Sequence, residues 1–384
     1  MRLSAAVFCR LLLNTARRFA YPFAPLLSRS LDVSLTAVTS IIAVNQATAV
    51  AGIFFGPIAD RLGYRFMMVC GLVLLVSGML WTGISPSYAT LMLALFLAGL
   101  GKTIFDPAIQ AYVGKQVSYQ KRGFAIGFLE MSWAGSTLLG IPGIALLINW
   151  MGWRAPFIVL GGMGLAGLMG LWLLIPKDPP VQRAASERNI FGLAWRELVK
   201  NRSAAGALGY AFFISVANDS LFVIYGAWLE SSFNISIILL GIGTSVIGAA
   251  ELCGEGMTVF LADRMGLKRS VKIGLVLTMS NYLLLPIYSH SLTMALSGIF
   301  LIFLFFEFTI VTSMSLCTEL LPAYRATMMS AFFATAGAGR VVGALIGGPI
   351  WLYGGIQATG IASAVITCLA YVSLTLGMDR AHRT

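Results

Sequence analysis

The chain is divided into runs of apolar residues, each about twenty long, separated by short polar connectors, and that spacing leaves it few folds. A helix of that length crosses the hydrocarbon core of a bilayer, and inside lipid every backbone polar group must be satisfied within the protein. Twelve such runs are read, near 4–26, 35–59, 66–84, 89–113, 123–148, 155–175, 204–228, 237–261, 270–288, 293–318, 327–352 and 358–377. Only 11% of the 384 residues are charged and 58% are hydrophobic. A soluble domain carries about a quarter charged residues, so lipid is the expected solvent. The fold class expected is all-α and integral to the membrane, with twelve transmembrane helices. The first run is read as a retained helix and not as a removed signal peptide.

One polar connector occurs twice. The stretch 56–65 holds Gly56, Asp60, Arg61, Gly63 and Arg65, and the stretch 262–269 holds Asp263, Arg264, Gly266, Lys268 and Arg269. Both lie between apolar runs, about two hundred residues apart, so the chain reads as a duplicated half. The longest connector, 176–203, opens on Lys177, Asp178, Pro179 and Pro180. It closes on a short amphipathic helix, expected to lie on the membrane surface. The expected organisation is a six-helix bundle over 1–175, a linker over 176–203 and a second six-helix bundle over 204–384.

Basic residues set the orientation. Arg61, Arg65, Lys115, Lys121, Arg122, the linker, Arg264, Lys268, Arg269, Lys272, Arg325, Arg380 and Arg383 fall on one side, and Arg29 and Arg154 on the other. Both termini are therefore expected in the cytoplasm. The formal charge of +11 belongs to these loops; no basic cluster is interleaved with aromatics, which argues against nucleic acid. Cys9, Cys70, Cys253, Cys317 and Cys368 sit in apolar runs without metal-ligand spacing, and His290 and His382 are isolated. No metal or cofactor is expected, and no catalytic motif points to an enzyme.

Two six-span halves joined by a basic linker resemble the major facilitator superfamily. The loop pattern of that family, G-x-x-x-D-R-x-G-R-[RK], is followed at Gly56, Asp60, Arg61, Gly63 and Arg65, with Tyr64 in place of its first arginine, and the copy keeps Asp263, Arg264, Gly266, Lys268 and Arg269. The resemblance implies that this loop latches the halves together when the outside gate is open. A carboxylate at such a site can face the positive end of a helix, and Gly63 and Gly266 permit the tight turn. The neighbouring arginines can pair across the interface or hold anionic headgroups. Gly135, Gly140, Pro142 and Gly143 resemble the span-5 motif of the drug-efflux branch, although Ile141 intervenes; a thin, bendable helix there would pack closely on the other half. Where the family carries an arginine in span 4, this chain has Ala94, Leu95 and Phe96.

Ionisable groups within spans mark a solute or ion path, because each costs roughly 2.5–3.5 kcal/mol at the bilayer centre. Here they are Arg10, Arg17, Arg18, Lys102, Asp106, Glu130, Asp219, Glu251, Glu255, Glu307 and Arg340. The resemblance places spans 1, 4, 7 and 10 around a central cavity. Arg17 with Asn14, and Lys102 with Asp106 one helical turn away, then give the first half a basic lining. Asp219 with Asn218, and Glu307, give the second half an acidic one. Lys102 and Asp106 can also neutralise each other. Asp219 or Glu307, with or without Asp106, is the expected protonation site, since a carboxyl group in apolar surroundings takes a proton closer to neutral pH. Arg10 is expected to pair with Glu130, and Glu251 and Glu255 either to pair with Arg340 or to belong to the gate. Asn45 and Gln46 are read as hydrogen bonders between helices. Tyr21, Phe105, Tyr112, Trp133, Tyr210, Phe222, Tyr225 and Trp228 are read as core packing before ligand stacking.

These features predict a monomeric secondary carrier in the cytoplasmic membrane. It would work with a small-molecule substrate, protons and membrane lipids, by proton-coupled export of a small organic solute through alternating access. Symport or uniport of an anionic metabolite, or flipping of a lipid or lysolipid, are the other readings.

Overall fold

The computed structural model describes residues 2–116, 129, 131–176, 196–198, 200–321 and 325–378. At residues 2, 53, 56, 57, 60, 61, 111, 113–116, 263, 318 and 325–327 the description is of the backbone. Among the described residues the regular secondary structure is all helical, without a strand.

Helices α1 (Arg2–Arg18), α2 (Ala24–Leu31) and α3 (Leu35–Ala47) lead through a 3₁₀ turn, Thr48–Ala51, into α4 (Gly52–Leu62). Then come α5 (Tyr64–Ile84), α6 (Tyr88–Gln116), a π-helical turn at Ser136–Gly140, α7 (Ile141–Met151) and α8 (Ala155–Leu174). The remainder consists of α9 (Arg202–Phe222), α10 (Tyr225–Phe233), α11 (Ile237–Met257), a second π turn at Thr258–Ala262, α12 (Asp263–Met265), α13 (Leu267–Leu283), α14 (Leu285–Tyr288), α15 (Leu292–Leu320) and α16 (Arg325–Met378).

Among the described residues, eight helical stretches are long and apolar enough to cross a membrane. Counting the pair Ala24–Leu31 and Leu35–Ala51, bent by 118°, as one broken span makes nine. The sequence predicts twelve, and local chemistry accounts for much of the difference. Arg2, Arg10, Arg17 and Arg18 make α1 too polar. Helix α13 has 17 residues and carries Lys268, Arg269 and Lys272. Helix α16 runs through two expected spans and is broken by non-helical backbone at Gly354 and Gly355.

The chain divides into two compact units. One comprises Met1–Gln182 with Ile235–Gly248, the other Arg183–Asn234 with Ala249–Thr384. In the first unit α5 packs on α6 and α8, and α1 packs on α6, α8 and the π turn. The segment 235–248 joins this unit through close backbone approach: a Cβ on Gly248 would lie 2.8 Å from Leu138 Cγ, and Ser245 Oγ donates to Leu138 O at 3.2 Å. In the second unit α9 lies along α16, where Gly339, Gly343 and Gly347 let the backbones meet at Phe212, Val216 and Ser220. Such small-residue contact replaces the hydrophobic drive that lipid removes.

The turns repeat. Left-handed Asp32 (φ 53°) is matched by Asn234 (φ 48°), and the caps Ser34 and Ser236 accept from the backbone N–H three residues on. Gly63 (φ 95°) is matched by Gly266 (φ 83°) and Gly152 (φ 83°) by Gly355 (φ 60°), 203 residues apart in each case. Ser87 and Ser291 cap α6 and α15 in the same way. Duplication is thus written in turn geometry as well as in the repeated loop.

Candidate functional site

The polar residues of the first unit gather where α1 meets α6 and the helical residues 131–135. Arg10, Asn14, Arg17 and Arg18 recur at three- and four-residue spacing, so they share neighbouring faces of α1. All four are buried, as is Lys102. Arg10 Nε donates to Asp106 Oδ1 at 3.1 Å and Arg10 Nη1 to Leu129 O at 2.9 Å. Lys102 Nζ donates to Asp106 Oδ2, one turn away on α6. Asp106 thus carries two cations, one from its own helix and one from α1. The sequence reading pairs Arg10 with Glu130, which lies outside the described residues.

Arg17 donates through Nε to Asn45 Oδ1 at 3.1 Å and through Nη2 to Gln46 Oε1. Gln46 Nε2 donates in turn to Tyr21 Oη, and Asn45 Nδ2 to Leu95 O. These side-chain amides do bond between helices, and their partner is the arginine. Arg18 lies over the Trp133 ring, 4.3 Å from its centroid, and Lys102 Nζ is 5.4 Å from the same centroid. Asn14 Nδ2 donates to Ser132 Oγ at 3.3 Å. Its Oδ1, fully buried, meets no donor.

In the second unit the main pair joins α9 and α16. Asp219, 3% exposed, has its Oδ2 3.9 Å from Arg340 Nε, the outer limit of a salt bridge. The structure brings Arg340 to Asp219, a pairing that the sequence reading did not give. Gly343 explains the approach, since a Cβ there would sit 2.9 Å from Asp219 Cβ. The Oδ1 of buried Asn218 has no hydrogen-bond donor. Glu307 on α15 is half-buried beside Gly254 of α11, whose added Cβ would lie 2.8 Å from Glu307 Cβ. Glu251 is buried on α11 and Glu255 half-buried one turn on. Phe222 stacks on Tyr225 at 5.4 Å and packs edge-on against Phe303.

Of the repeated loop, the side chains of Gly56, Asp60, Arg61 and Asp263 lie outside the described residues. Gly63 and Gly266 end α4 and α12 in the left-handed region and begin the next helices, a conformation that costs an L side chain. Arg65 donates to Trp172 O at 2.6 Å and lies 4.6 Å from the centre of its ring. Arg264 and Arg269 are exposed. A cavity of about 710 Å³ beside Gly266 is lined by Lys268, Arg269, Lys272, Leu316 and Glu319. In the span-5 motif a Cβ on Gly140 would strike Thr15 of α1, Gly135 faces Leu11 of α1, and Pro142 opens α7.

Sequence reasoning missed Arg18 with Trp133 and the Asn45–Gln46–Tyr21 chain around Arg17. The signal was present as polar residues at the inner ends of apolar runs, but nothing local says which helix faces which. Among the described residues, no three His, Cys, Asp or Glu side chains gather as metal ligands.

The family model described as Major Facilitator Superfamily matches residues 6–217 and 208–383. An uncharacterized MFS-type transporter, YceJ, of Bacillus subtilis (strain 168) is 27% identical over 321 residues, covering 84% of this chain and 81% of that protein. A multi-drug resistance efflux pump PmrA homolog of Lactococcus lactis is 26% identical over 275 residues, 68% of this chain and 66% of the relative. The crystal structure of the nucleoside transporter NupG (D323A mutant) superposes with a TM-score of 0.80 at 14% identity, covering 98% of both chains.

Proposed function

This chain belongs to the major facilitator superfamily, and from that premise we propose that it exports a small organic solute by proton-coupled alternating access. It is a multi-pass membrane transporter and not an enzyme. The finer reading rests on one observation: a carboxylate buried in an apolar bundle, Asp219, held to Arg340 at 3.9 Å. Asp106 is different in kind, because two cations reach it at bonding distance. We assign the proton to Asp219, with Glu307 as its relay and Asp106 as a structural anion. Protonating Asp219 would release Arg340, which biases the unit between two arrangements.

In this reading the chain has twelve spans in two six-helix bundles, 1–175 and 204–384, with the linker 176–203 and both termini in the cytoplasm. It works as a monomer in the cytoplasmic membrane. Arg17, Asn14, Lys102, Asn218 and Arg340 line the solute and proton path. Gly56, Asp60, Arg61, Gly63 and Arg65, with Asp263, Arg264, Gly266 and Arg269, form the cytoplasmic gate. Gly135, Gly140 and Pro142 supply the flexible part of span 5. Lys268, Arg269 and Lys272 border a cavity suited to anionic lipid headgroups. The efflux direction draws on the Lactococcus relative and the span-5 motif.

The test is solute and proton flux in proteoliposomes under an imposed pH gradient. Asp219→Asn should abolish pH-driven flux while solute exchange across equal pH persists. Unchanged pH-driven flux in both Asp219→Asn and Glu307→Gln would refute the proton assignment.

A further inference from the structure

We propose that the cavity of about 710 Å³ beside Gly266 binds the phosphate of an anionic membrane lipid, with Arg269 as its anchor and the start of α13 as its seat. This assignment rests on the membrane orientation given above and adds to it a lipid class, an anchoring residue and a consequence for the repeated turn.

The cavity lies between the first turns of α13 and the last turns of α15. Gly266 brings no capping side chain, and the first N–H groups of a helix have no partner within it. This positive end of the helix carries Lys268 and Arg269, with Lys272 one turn on. Cations are favoured at the other end of a helix, and the first turn of α13 has no acidic residue to offset them. An anion seated there satisfies N–H groups and cations together. Arg269 is exposed, and among the described residues no ion pair reaches it. Its planar fork matches a phosphate with two bonds. Lys268 and Lys272 engage other partners as well, so the binding is assigned to Arg269 and the helix start, which need no charge from them.

The first unit shows that the turn itself does not require this lining. Where the second unit has Lys268, Arg269 and Lys272, the matching positions of the first hold Arg65, Phe66 and Val69. Arg65 is taken by the carbonyl and ring of Trp172, and Phe66 is exposed. The two added cations of the second unit thus serve something other than the shared turn. Leu267 and Leu316 also line the cavity. They suit the apolar part of a lipid, which an inorganic ion lacks. Glu319 opposes an anion from the α15 side. A headgroup held here ties the start of α13 to the end of α15 and steadies the Gly266 turn, next to Asp263 and Arg264 of the proposed gate.

Full-length protein in neutral detergent should be titrated with phosphatidylglycerol and with phosphatidylcholine of the same chains, the lipid-bound fraction being read by native mass spectrometry. Phosphatidylglycerol should bind about tenfold tighter. Arg269→Gln should reduce that preference to about twofold. Arg154→Gln, which removes an exposed cation of the first unit, should leave it intact. Glu319→Gln removes the opposing carboxylate and should tighten phosphatidylglycerol binding about threefold, a gain that misfolding cannot produce. In nanodiscs, hydrogen exchange over residues 266–272 should slow with phosphatidylglycerol and not with phosphatidylcholine. Equal affinity for the two lipids, a tenfold preference that survives a folded Arg269→Gln, unchanged exchange, or displacement of the lipid by equimolar inorganic phosphate would overturn the site. If Arg269→Gln does not fold, absence of the Glu319→Gln gain would do so. Phosphatidylglycerol preference in protein without pH-driven flux would leave the site standing and count against proton-coupled export. Flux driven by pH without lipid preference would do the reverse.

Discussion

Asp106 and Asp219 are both carboxylates within apolar helices, yet their surroundings differ in kind. Asp106 receives Arg10 from α1 and Lys102 from α6. Asp219 is more deeply buried and faces Arg340 at 3.9 Å. The first arrangement is a crowded network in which each charge fixes the next. The second is a long contact between two helices. A network of short bonds locks helices in place, whereas a long pair between helices can be made and broken. The proposed roles, a structural anion in the first unit and a switching carboxylate in the second, follow that difference, although the turns of the two units repeat.

The largest expected effect is on the network. Asp106→Asn leaves Arg10 and Lys102 without their shared carboxylate, and removing one partner of a buried ion cluster costs roughly 3–5 kcal/mol. Thermal unfolding in detergent should show a large drop in midpoint, well beyond that of Asp219→Asn. Equal drops would erase the distinction between the two carboxylates.

Next come the glycines of the span-5 motif. Gly140→Ala drives a Cβ into Thr15, an overpacking cost of about 1–3 kcal/mol. Gly143 has open space around it, so Gly143→Ala should leave the midpoint nearly unchanged. A matched pair of melts decides between packing and generic flexibility.

The repeated turns give a finer comparison. Gly63→Ala and Gly266→Ala each force a side chain into the left-handed region, at about 1–2 kcal/mol per residue. Comparable losses in the two variants are expected by thermal denaturation; a loss in one alone would show that the turns are alike in shape but not in load. Smallest of all, the caps Ser34→Ala and Ser236→Ala should each cost about 1 kcal/mol. Hydrogen exchange should locate the loosening at the start of α3 and of α11 respectively.

Much of the site was legible, but only one helix at a time. Lys102 and Asp106 are four residues apart on one helix, so helical geometry alone predicts their contact. Of Arg17, Lys102, Asp219 and Glu307, which were expected to line a polar path, the first three are buried and Glu307 is half-buried. The bond of Arg10 to Asp106 was not foreseen, because it joins residues 96 apart. No local period records that distance. The stretch 235–248 was read as part of the second half, yet it groups with the first unit. Small residues at Gly241 and Gly248 allow that packing, and a glycine in an apolar run names no partner.

The sequence by itself determined the solvent, the helical class, the duplication and the family. These follow from composition, from span length against bilayer thickness and from a loop that occurs twice. Tertiary structure decided which polar group answers which: Asp106 taken by Arg10 as well as Lys102, Arg17 by side-chain amides, Asp219 by Arg340. Burial makes a charge seek compensation, and that much can be read from a sequence. The choice of partner depends on which helix faces lie together, and that is fixed by packing between segments far apart in the chain.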